Sequence, residues 1–342
     1  MNAVNRRIVL ASRPAAAPGP DNFRLETVPV PEPAAGEVLI RNHWLSLDPY
    51  MRGRMSTTKS YADPHPLDTV MLGGTVGRVA ASRHDGFAVG DAVLAFGGWQ
   101  EYALVRGEAL KMVHRIDPAL APLQRYLGAL GMPGMTAWYG LHRIIEPKAG
   151  ETVVVSAASG AVGMVVGQLA KAAGCRVVGV AGGPDKCAYV MQELGFDACL
   201  DHKALTDPRD FDAALAAAAP AGVDGCFENV GGLVFEGTLR RMNAFGRVAV
   251  CGMIAGYNGE PVPLKDPTVI LRSRLKVQGF IISENPADMM EAFRVLAGLH
   301  AAGRLRYRET VAEGIESAPE AFFGLLKGRN FGKQLVRLVA EA

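Results

Sequence analysis

The chain is poor in cysteine, in net charge and in long apolar runs, and each shortage removes a class of function. Its 342 residues hold five cysteines, an odd number without C-x-x-C spacing. A disulfide framework is therefore not expected, and the thiols read as reduced, in a cytoplasmic protein. The formal net charge is only +2, so no broad field favours nucleic acid or an anionic membrane surface. No apolar run approaches the roughly 20 residues of a membrane span, because Gly, Arg or Asp interrupts each one. Met1 to Pro20 carries Arg6, Arg7 and Arg13 but only Ile8-Val9-Leu10-Ala11 as an apolar stretch, too little for a secretory signal.

What remains is an ordinary globular composition, 49% hydrophobic and 20% charged, with a length that predicts about two domains. Up to about residue 125 the chain reads as an all-β, barrel-like domain. Short β-like runs (Glu37 to Asn42, Thr75 to Ala80, Asp91 to Ala95, Glu101 to Val105) alternate with turn signals such as Pro29 to Pro33 and Asp85-Gly86. From about Gly128 strands and helices alternate. Six strands are expected at Thr152–Ser156, Arg176–Ala181, Ala198–Leu200, Gly225–Glu228, Arg247–Cys251 and Lys276–Ile281, which fits a doubly wound parallel sheet. A longer helix is expected from Pro286 to Gly303. The tail beyond Arg304 has no place in a completed six-stranded sheet and is expected to return to the first domain. Such a layout predicts a ligand cleft between the domains.

The most informative run is Glu151 to Gly163. A buried strand meets a turn of small residues and passes at once into an apolar helix, Val162 to Ala173. The turn reads A-x-G-x-x-G, with Ala158 where a dinucleotide fingerprint has its first glycine. Gly160 would let the backbone approach a pyrophosphate and Gly163 would let the helix pack close, with helix N–H groups facing the phosphate charge. Glycine-rich turns also serve packing alone, but strand, turn and helix in this order favour a dinucleotide. The second strand ends in Gly182-Gly183 without an acid at its tip, and Lys186 follows within a turn. A ribose 2′-phosphate would welcome that cation, which favours NADP(H). The alternative has Asp185 hold an unphosphorylated ribose, with Lys186 on a solvated face.

Several blocks spread over nearly the whole chain carry a family likeness. They are Asp48-Pro49-Tyr50-Met51-Arg52, Gly131 to Ala137, the turn at 157–163 running into Gly167-Gln168, and Phe227 to Gly232. Cys251-Gly252 through Tyr257-Asn258, and Leu326 through Asn330 and Gly332-Lys333, complete the set. With these the chain resembles the zinc-free medium-chain dehydrogenase/reductase superfamily, within it the prostaglandin reductase and alkenal (one) double-bond reductase group. The resemblance implies an α/β chain in which a GroES-like β-barrel catalytic domain (1–127 and 304–342) carries an inserted Rossmann domain (128–303). It implies NADPH in the cleft and a homodimer. Matched position by position, Gly160, Ala161, Val162 and Gly163 should face the pyrophosphate, and Lys186 the 2′-phosphate. Asn229 should lie by the cofactor, Cys251, Gly252 and Tyr257 should wrap its nicotinamide side with Phe280, Ile281 and Ile282, and Asn330 should close over it. His202 stands where many relatives have a tyrosine stacked near the adenine ribose, and there it is a candidate to bind the cofactor by stacking or by bonding phosphate.

Zinc-bearing relatives carry a Gly-His-Glu segment and four clustered cysteines. Here the matching stretch reads Gly73-Gly74-Thr75, the five cysteines are scattered, and the seven histidines are dispersed, so no metal is expected. Conjugate reduction of an enone needs no Lewis acid. Hydride goes to the β-carbon and charge gathers on the carbonyl oxygen as an enolate, which hydrogen-bond donors stabilise. The resemblance points to Tyr257, with the nicotinamide ribose hydroxyl, as donors, and to Tyr50 as a second candidate. Tyr50 reads equally as a packing residue at a barrel rim. Arg52 is a candidate for an anionic substrate end, with a structural ion pair as its alternative. Met132, Trp138 and Phe280 are candidate apolar walls, Trp99 a core or rim residue, and Cys251 a small packing residue. The expected activity is NADPH-dependent reduction of the conjugated C=C bond of a small enone or enal. An NADPH:quinone reductase and a non-catalytic NADPH-binding protein are the alternatives.

Overall fold

Strands with one or both faces apolar must pair to bury them, and among the described residues this chain does so in three sheets, of two, six and seven strands. A computed structural model describes residues 3–339. Contacts divide the chain into two units, one running to Leu127 and resuming at Glu309, the other Gly128–Arg308. Among the described residues no helix is long and apolar enough to cross a membrane.

The first unit is the GroES-like barrel. It opens with an antiparallel hairpin, β1 (Val4–Leu10) on β2 (Phe23–Pro29), which the sequence reading did not anticipate. Its main sheet holds β3 (Val38–Ser46), β4 (Thr75–Ser82), β5 (Ala92–Ala95), β6 (Tyr102–Val105) and β7 (His114–Arg115). The tail does return here. β14 (Glu309–Glu313) pairs in parallel with β15 (Lys333–Arg337), and β15 pairs antiparallel with β3, giving the order β14-β15-β3-β4-β5-β7 with β6 also on β3. The unit is not all β: a short helix α1 (Tyr50–Arg54) follows β3, and α9 (Ala318–Leu326) precedes β15. Phe322 of α9 meets Trp99 edge-on at 5.7 Å, and Phe23 stacks on the same indole at 5.3 Å. Trp99 is fully buried, a core residue.

The second unit is a six-stranded parallel sheet of β8 (Thr152–Val155), β9 (Arg176–Ala181), β10 (Ala198–Asp201), β11 (Val223–Glu228), β12 (Met242–Val250) and β13 (Lys276–Gly279). Its order is β10-β9-β8-β11-β12-β13, the doubly wound Rossmann arrangement, with the topological switch point between β8 and β11. The crossovers are α3 (Gly163–Ala172), α4 (Pro184–Gln192), α5 (Pro208–Ala218), α6 (Gly232–Arg240) and α7 (Thr268–Arg272), with α8 (Pro286–Ala301) after β13. The alanine-rich stretch from Ala213 lies on α5 as far as Ala218, with Ala219 as its cap before Pro220, which lacks a backbone donor. α3 starts at Gly163, one residue later than expected, because Val162 serves as its cap. Before β8 stands α2 (Met132–Tyr139), continued by a π-helical turn at Gly140–Ile145. Residues 304–308 run with this unit: Gln168 donates to the Arg306 carbonyl at 2.8 Å and accepts from its N–H at 2.8 Å.

One buried ion pair ties the first unit's ends together. Lys333 on β15 is 1% exposed, and its Nζ donates to Asp48 Oδ1 at 2.7 Å and to the Leu47 carbonyl at 2.7 Å. Ser46 donates to the other Asp48 oxygen. Lys333→Met would leave Asp48 buried without its cation and is expected to lower stability by about 3–5 kcal/mol. Urea unfolding checks this: the midpoint should fall, and Asp48→Asn in the same chain should recover part of the loss. An unchanged midpoint in Lys333→Met would show that the pair contributes nothing.

Candidate active site

The carboxyl ends of the parallel strands set out the site in the second unit. At the end of β8 the chain turns on Ala157, which takes a left-handed backbone (φ +48°). The tight bend that a first glycine would ease is thus made one residue earlier. Ala158 is buried, its N–H donates to the Val180 carbonyl at 3.0 Å, and its methyl fills the space over Gly179. A Cβ at Gly179 would come within 2.9 Å of that methyl, so the alanine and the glycine are complementary. A Cβ at Gly163 would lie 2.3 Å from the Ala157 carbonyl oxygen and one at Gly160 3.0 Å from it. The turn therefore needs small residues, and Gly160, Ala161 and Val162 stay partly accessible at the start of α3. First-turn N–H groups and the helix dipole there suit a pyrophosphate.

The tips of β9 and β10 form the next corner. β9 ends at Ala181, whose carbonyl accepts the His202 N–H at 3.0 Å. Gly183 adopts φ +106°, a region that favours glycine, and its N–H donates to Asp201 Oδ1 at 2.7 Å. Lys186 lies in the first turn of α4, its ammonium held below the ordinary lysine range by burial and by the nearby Lys203. Asp185, exposed on the same turn, is the acid of the alternative reading.

At the switch point a buried carboxylate organises the ends of β8 and β11. Glu228 is fully buried, and its Oε1 accepts from Ser156 Oγ at 3.1 Å and from the Val230 and Gly231 N–H groups at 2.5 and 2.7 Å. Burial raises the Glu228 carboxyl above its usual range, while these donors pull it down. The Asn229 amide donates to the Ser156 carbonyl at 2.8 Å, and its N–H donates to Ser156 Oγ at 2.7 Å. The Glu228 carbonyl then accepts from Cys251 and Gly252 at 2.8 and 3.2 Å, and the Asn229 carbonyl accepts from Ile254 at 3.2 Å. The loop that carries Tyr257 is therefore hung on this turn. A Cβ on Gly252 would lie 3.0 Å from Tyr257 Oη and 3.5 Å from the Asn229 carbonyl oxygen, so the phenol sits directly over that glycine. Asn229, Cys251, Gly252 and Tyr257 are thus brought together. Glu228 and Ser156 were not among the residues expected from sequence; an acid ending an apolar strand before N-V-G-G was the available signal.

The flanking residues divide. Phe280 packs on Tyr139 at 5.3 Å and edge-on to Phe227 at 6.3 Å, Ile282 is buried, and the Ile281 carbonyl accepts from Asn285 at 3.3 Å. Met132, the first residue of α2, is 37% exposed, whereas Trp138 is buried against His142 and the Arg143 guanidinium. In the first unit, Tyr50 opens α1, and its phenol is raised well above the tyrosine range by burial and then by Asp48. Arg52 is buried and donates to the Ala16 carbonyl at 2.7 Å. Asn330 donates to the Gly332 carbonyl at 2.6 Å, which holds its amide in the turn before β15. Among the described residues no three His, Cys, Asp or Glu side chains gather as a metal site.

Comparison with known proteins adds the lineage. Residues 6–113 match a family described as the N-terminal domain of oxidoreductase, and residues 161–298 one described as zinc-binding dehydrogenase. The chain is 47% identical over 346 residues to an NADPH-dependent curcumin reductase of Escherichia coli, covering 98% of both. It is 41% identical to prostaglandin reductase 1 of Bos taurus, over 94% of this chain and 95% of that one. A crystal structure of CurA from Vibrio vulnificus in complex with NADPH superimposes with a TM-score of 0.91 at 46% identity, covering 98% of this chain and all of the other. The protein belongs to the prostaglandin reductase and alkenal double-bond reductase group of the zinc-free medium-chain dehydrogenases/reductases.

Proposed function

We propose that the protein reduces the conjugated C=C bond of α,β-unsaturated ketones or aldehydes with NADPH. The observation that carries this reading is the Tyr257 hydroxyl set over Gly252, beside the Asn229 carbonyl, at the mouth of the switch point. NADPH, when bound, supplies a hydride for the substrate β-carbon. The chain's part is to hold the ends of the cofactor and to receive the charge that develops on the substrate. Tyr257 donates a hydrogen bond to the carbonyl oxygen as it becomes an enolate, alongside the nicotinamide ribose hydroxyl. Gly160 to Gly163 take the pyrophosphate, Lys186 the 2′-phosphate, and Asn229, Cys251, Gly252, Phe280, Ile281 and Ile282 line the nicotinamide side. Met132, partly exposed on α2, is the second unit's candidate for the substrate; Tyr50 and Arg52 remain the first unit's candidates for the substrate and Asn330 for the cofactor. A homodimer is part of this reading on the resemblance alone.

The thiols suit an electrophilic substrate. Burial, with Glu228 beneath it, pushes the Cys251 thiol up to about 12, and the four other cysteines are raised as well. A protonated thiol is a poor nucleophile, so Cys251 reads as a packing residue rather than as a nucleophile.

NADPH consumption with a panel of enones, enals and quinones, with product identification, tests the reading. A saturated product with its carbonyl intact is expected; turnover of quinones alone would replace the reading with a quinone reductase. Tyr257→Phe should lower kcat by about 10²–10³, the usual cost of one oxyanion donor, while NADPH affinity barely moves. A fully active Tyr257→Phe enzyme would remove the tyrosine from the mechanism. Lys186→Ala should weaken NADPH far more than NADH, and equal losses would remove the phosphate assignment.

A further inference from the structure

We propose that Lys203 and His202 complete, with Lys186, a phosphate cradle that takes up a proton when NADPH binds. The inference rests on the NADPH reading above, in which His202 is already a cofactor candidate, and adds to it Lys203 and a linked proton. In a doubly wound sheet the ribose 2′ position is met at the tip of the second strand, here β9. The tip of β10 stands beside it, since Asp201 pairs with Ala181 in the parallel register. The next two residues are therefore delivered to the same corner.

Their side chains fold back over the diglycine. A Cβ at Gly182 would lie 2.9 Å from His202 Nε2 and 3.1 Å from Lys203 Cε. The backbone beneath is fixed: Asp201 Oδ1 accepts from both the Gly183 N–H at 2.7 Å and the Lys203 N–H at 3.0 Å. One carboxylate oxygen thus clamps the β10 tip to the start of α4, and the Asp201 side chain is turned to these amides. Lys186 approaches from α4, near enough that Lys203 disfavours its charge. Two ammonium groups and an imidazole converging on one corner is a repulsive arrangement in the free protein. A dianion between them adds an attraction to each cation that outweighs their mutual repulsion.

His202 is the group that converts this into a proton linkage. Burial holds its charge down first of all; of the groups facing it, the preceding Asp201 favours the imidazolium and Lys203 and Lys186 oppose it, and the balance lies below the ordinary histidine range. A 2′-phosphate adds negative charge at the same corner and raises the imidazole again. Between the free and the bound values, binding takes a proton from solution. Affinity therefore rises as pH falls from 8 toward that window, until the phosphate itself begins to protonate near pH about 6.

Dissociation constants for NADPH and NADH, read from cofactor fluorescence, test the first half. Lys203→Ala and Lys203→Gln should each weaken NADPH by about tenfold, the scale of one lost charge-assisted bond, with NADH nearly unchanged. The Lys186→Ala variant measured alongside separates the two claims. If it alone loses NADPH selectively, Lys203 is no part of the cradle while the cofactor reading stands; if neither variant does, both fail. Calorimetry of NADPH binding at pH 7, in two buffers of different ionisation enthalpy, tests the second half. A fractional proton uptake is expected with NADPH, absent with NADH and abolished in His202→Gln. Uptake that persists in His202→Gln, or none in the unaltered protein, would overturn the role of the histidine.

Discussion

The site in the second unit depends on one buried carboxylate. Glu228 stands at the end of a central strand with no exposure, and it gathers a hydroxyl and two backbone N–H groups on one oxygen. Satisfying that oxygen fixes the turn at 229–231, and the strand's own carbonyl then fixes the start of the next loop through Cys251 and Gly252. Its second oxygen, Oε2, is buried without a partner in the described structure. An arrangement like this is costly to leave half made, so it enforces a single geometry more than it adds stability. What it enforces is the seat of Tyr257, which reaches over a glycine because no other residue leaves the space.

The first unit solves a similar problem with opposite charges. The corner between β3 and α1 has to turn sharply at Asp48-Pro49, and Lys333 pins it from a strand nearly three hundred residues later. Taking both ions out of water is expensive, and their mutual hydrogen bond, the Leu47 carbonyl and the Ser46 hydroxyl offset that cost. The D-P-Y-M-R block is thus held through its aspartate, and the following tyrosine is presented at a defined place at the head of α1.

Much of this was legible in the chain. The strand–turn–helix at 152–172 declared itself because a buried strand, a small-residue turn and an apolar helix are each local patterns, and the six Rossmann strands follow from the same alternation. The helix expected from Pro286 to Gly303 forms as α8, Pro286–Ala301, with its proline in the first turn where no backbone donor is needed. The hairpin of β1 and β2 was not legible, since its partners are separated by the loop around Pro14 to Gly19 and each strand is only half apolar. Glu228 hid for another reason: an acid at a strand end looks like a surface residue until the donors that surround it are assembled by the fold. Lys203 carries no signal in the sequence because it follows a different strand from the glycine turn, and only the β9–β10 register brings it to Gly182. The first glycine of the fingerprint was absent for a reason visible only in three dimensions, the fit of the Ala158 methyl over Gly179.

The strand order also divides the labour of the proposed reaction. From β8 outward, β9 and β10 lie on one flank, and β11, β12 and β13 on the other. Lys186, His202 and Lys203 all belong to the first flank, while Asn229, Gly252 and Tyr257 belong to the second. The small-residue turn between them offers backbone donors whose affinity for phosphate does not distinguish one dinucleotide from another. Discrimination therefore falls to side chains on one flank and charge stabilisation to a side chain on the other. Binding energy gained at the phosphate end is present in ground state and transition state alike, so it anchors the cofactor without changing the chemical barrier. A hydrogen bond at the enolate oxygen grows only as the hydride moves, and it lowers that barrier. With the two kinds of interaction on opposite sides of one switch point, cofactor choice and substrate chemistry are free to change independently, which is how one scaffold serves reductases of different substrates.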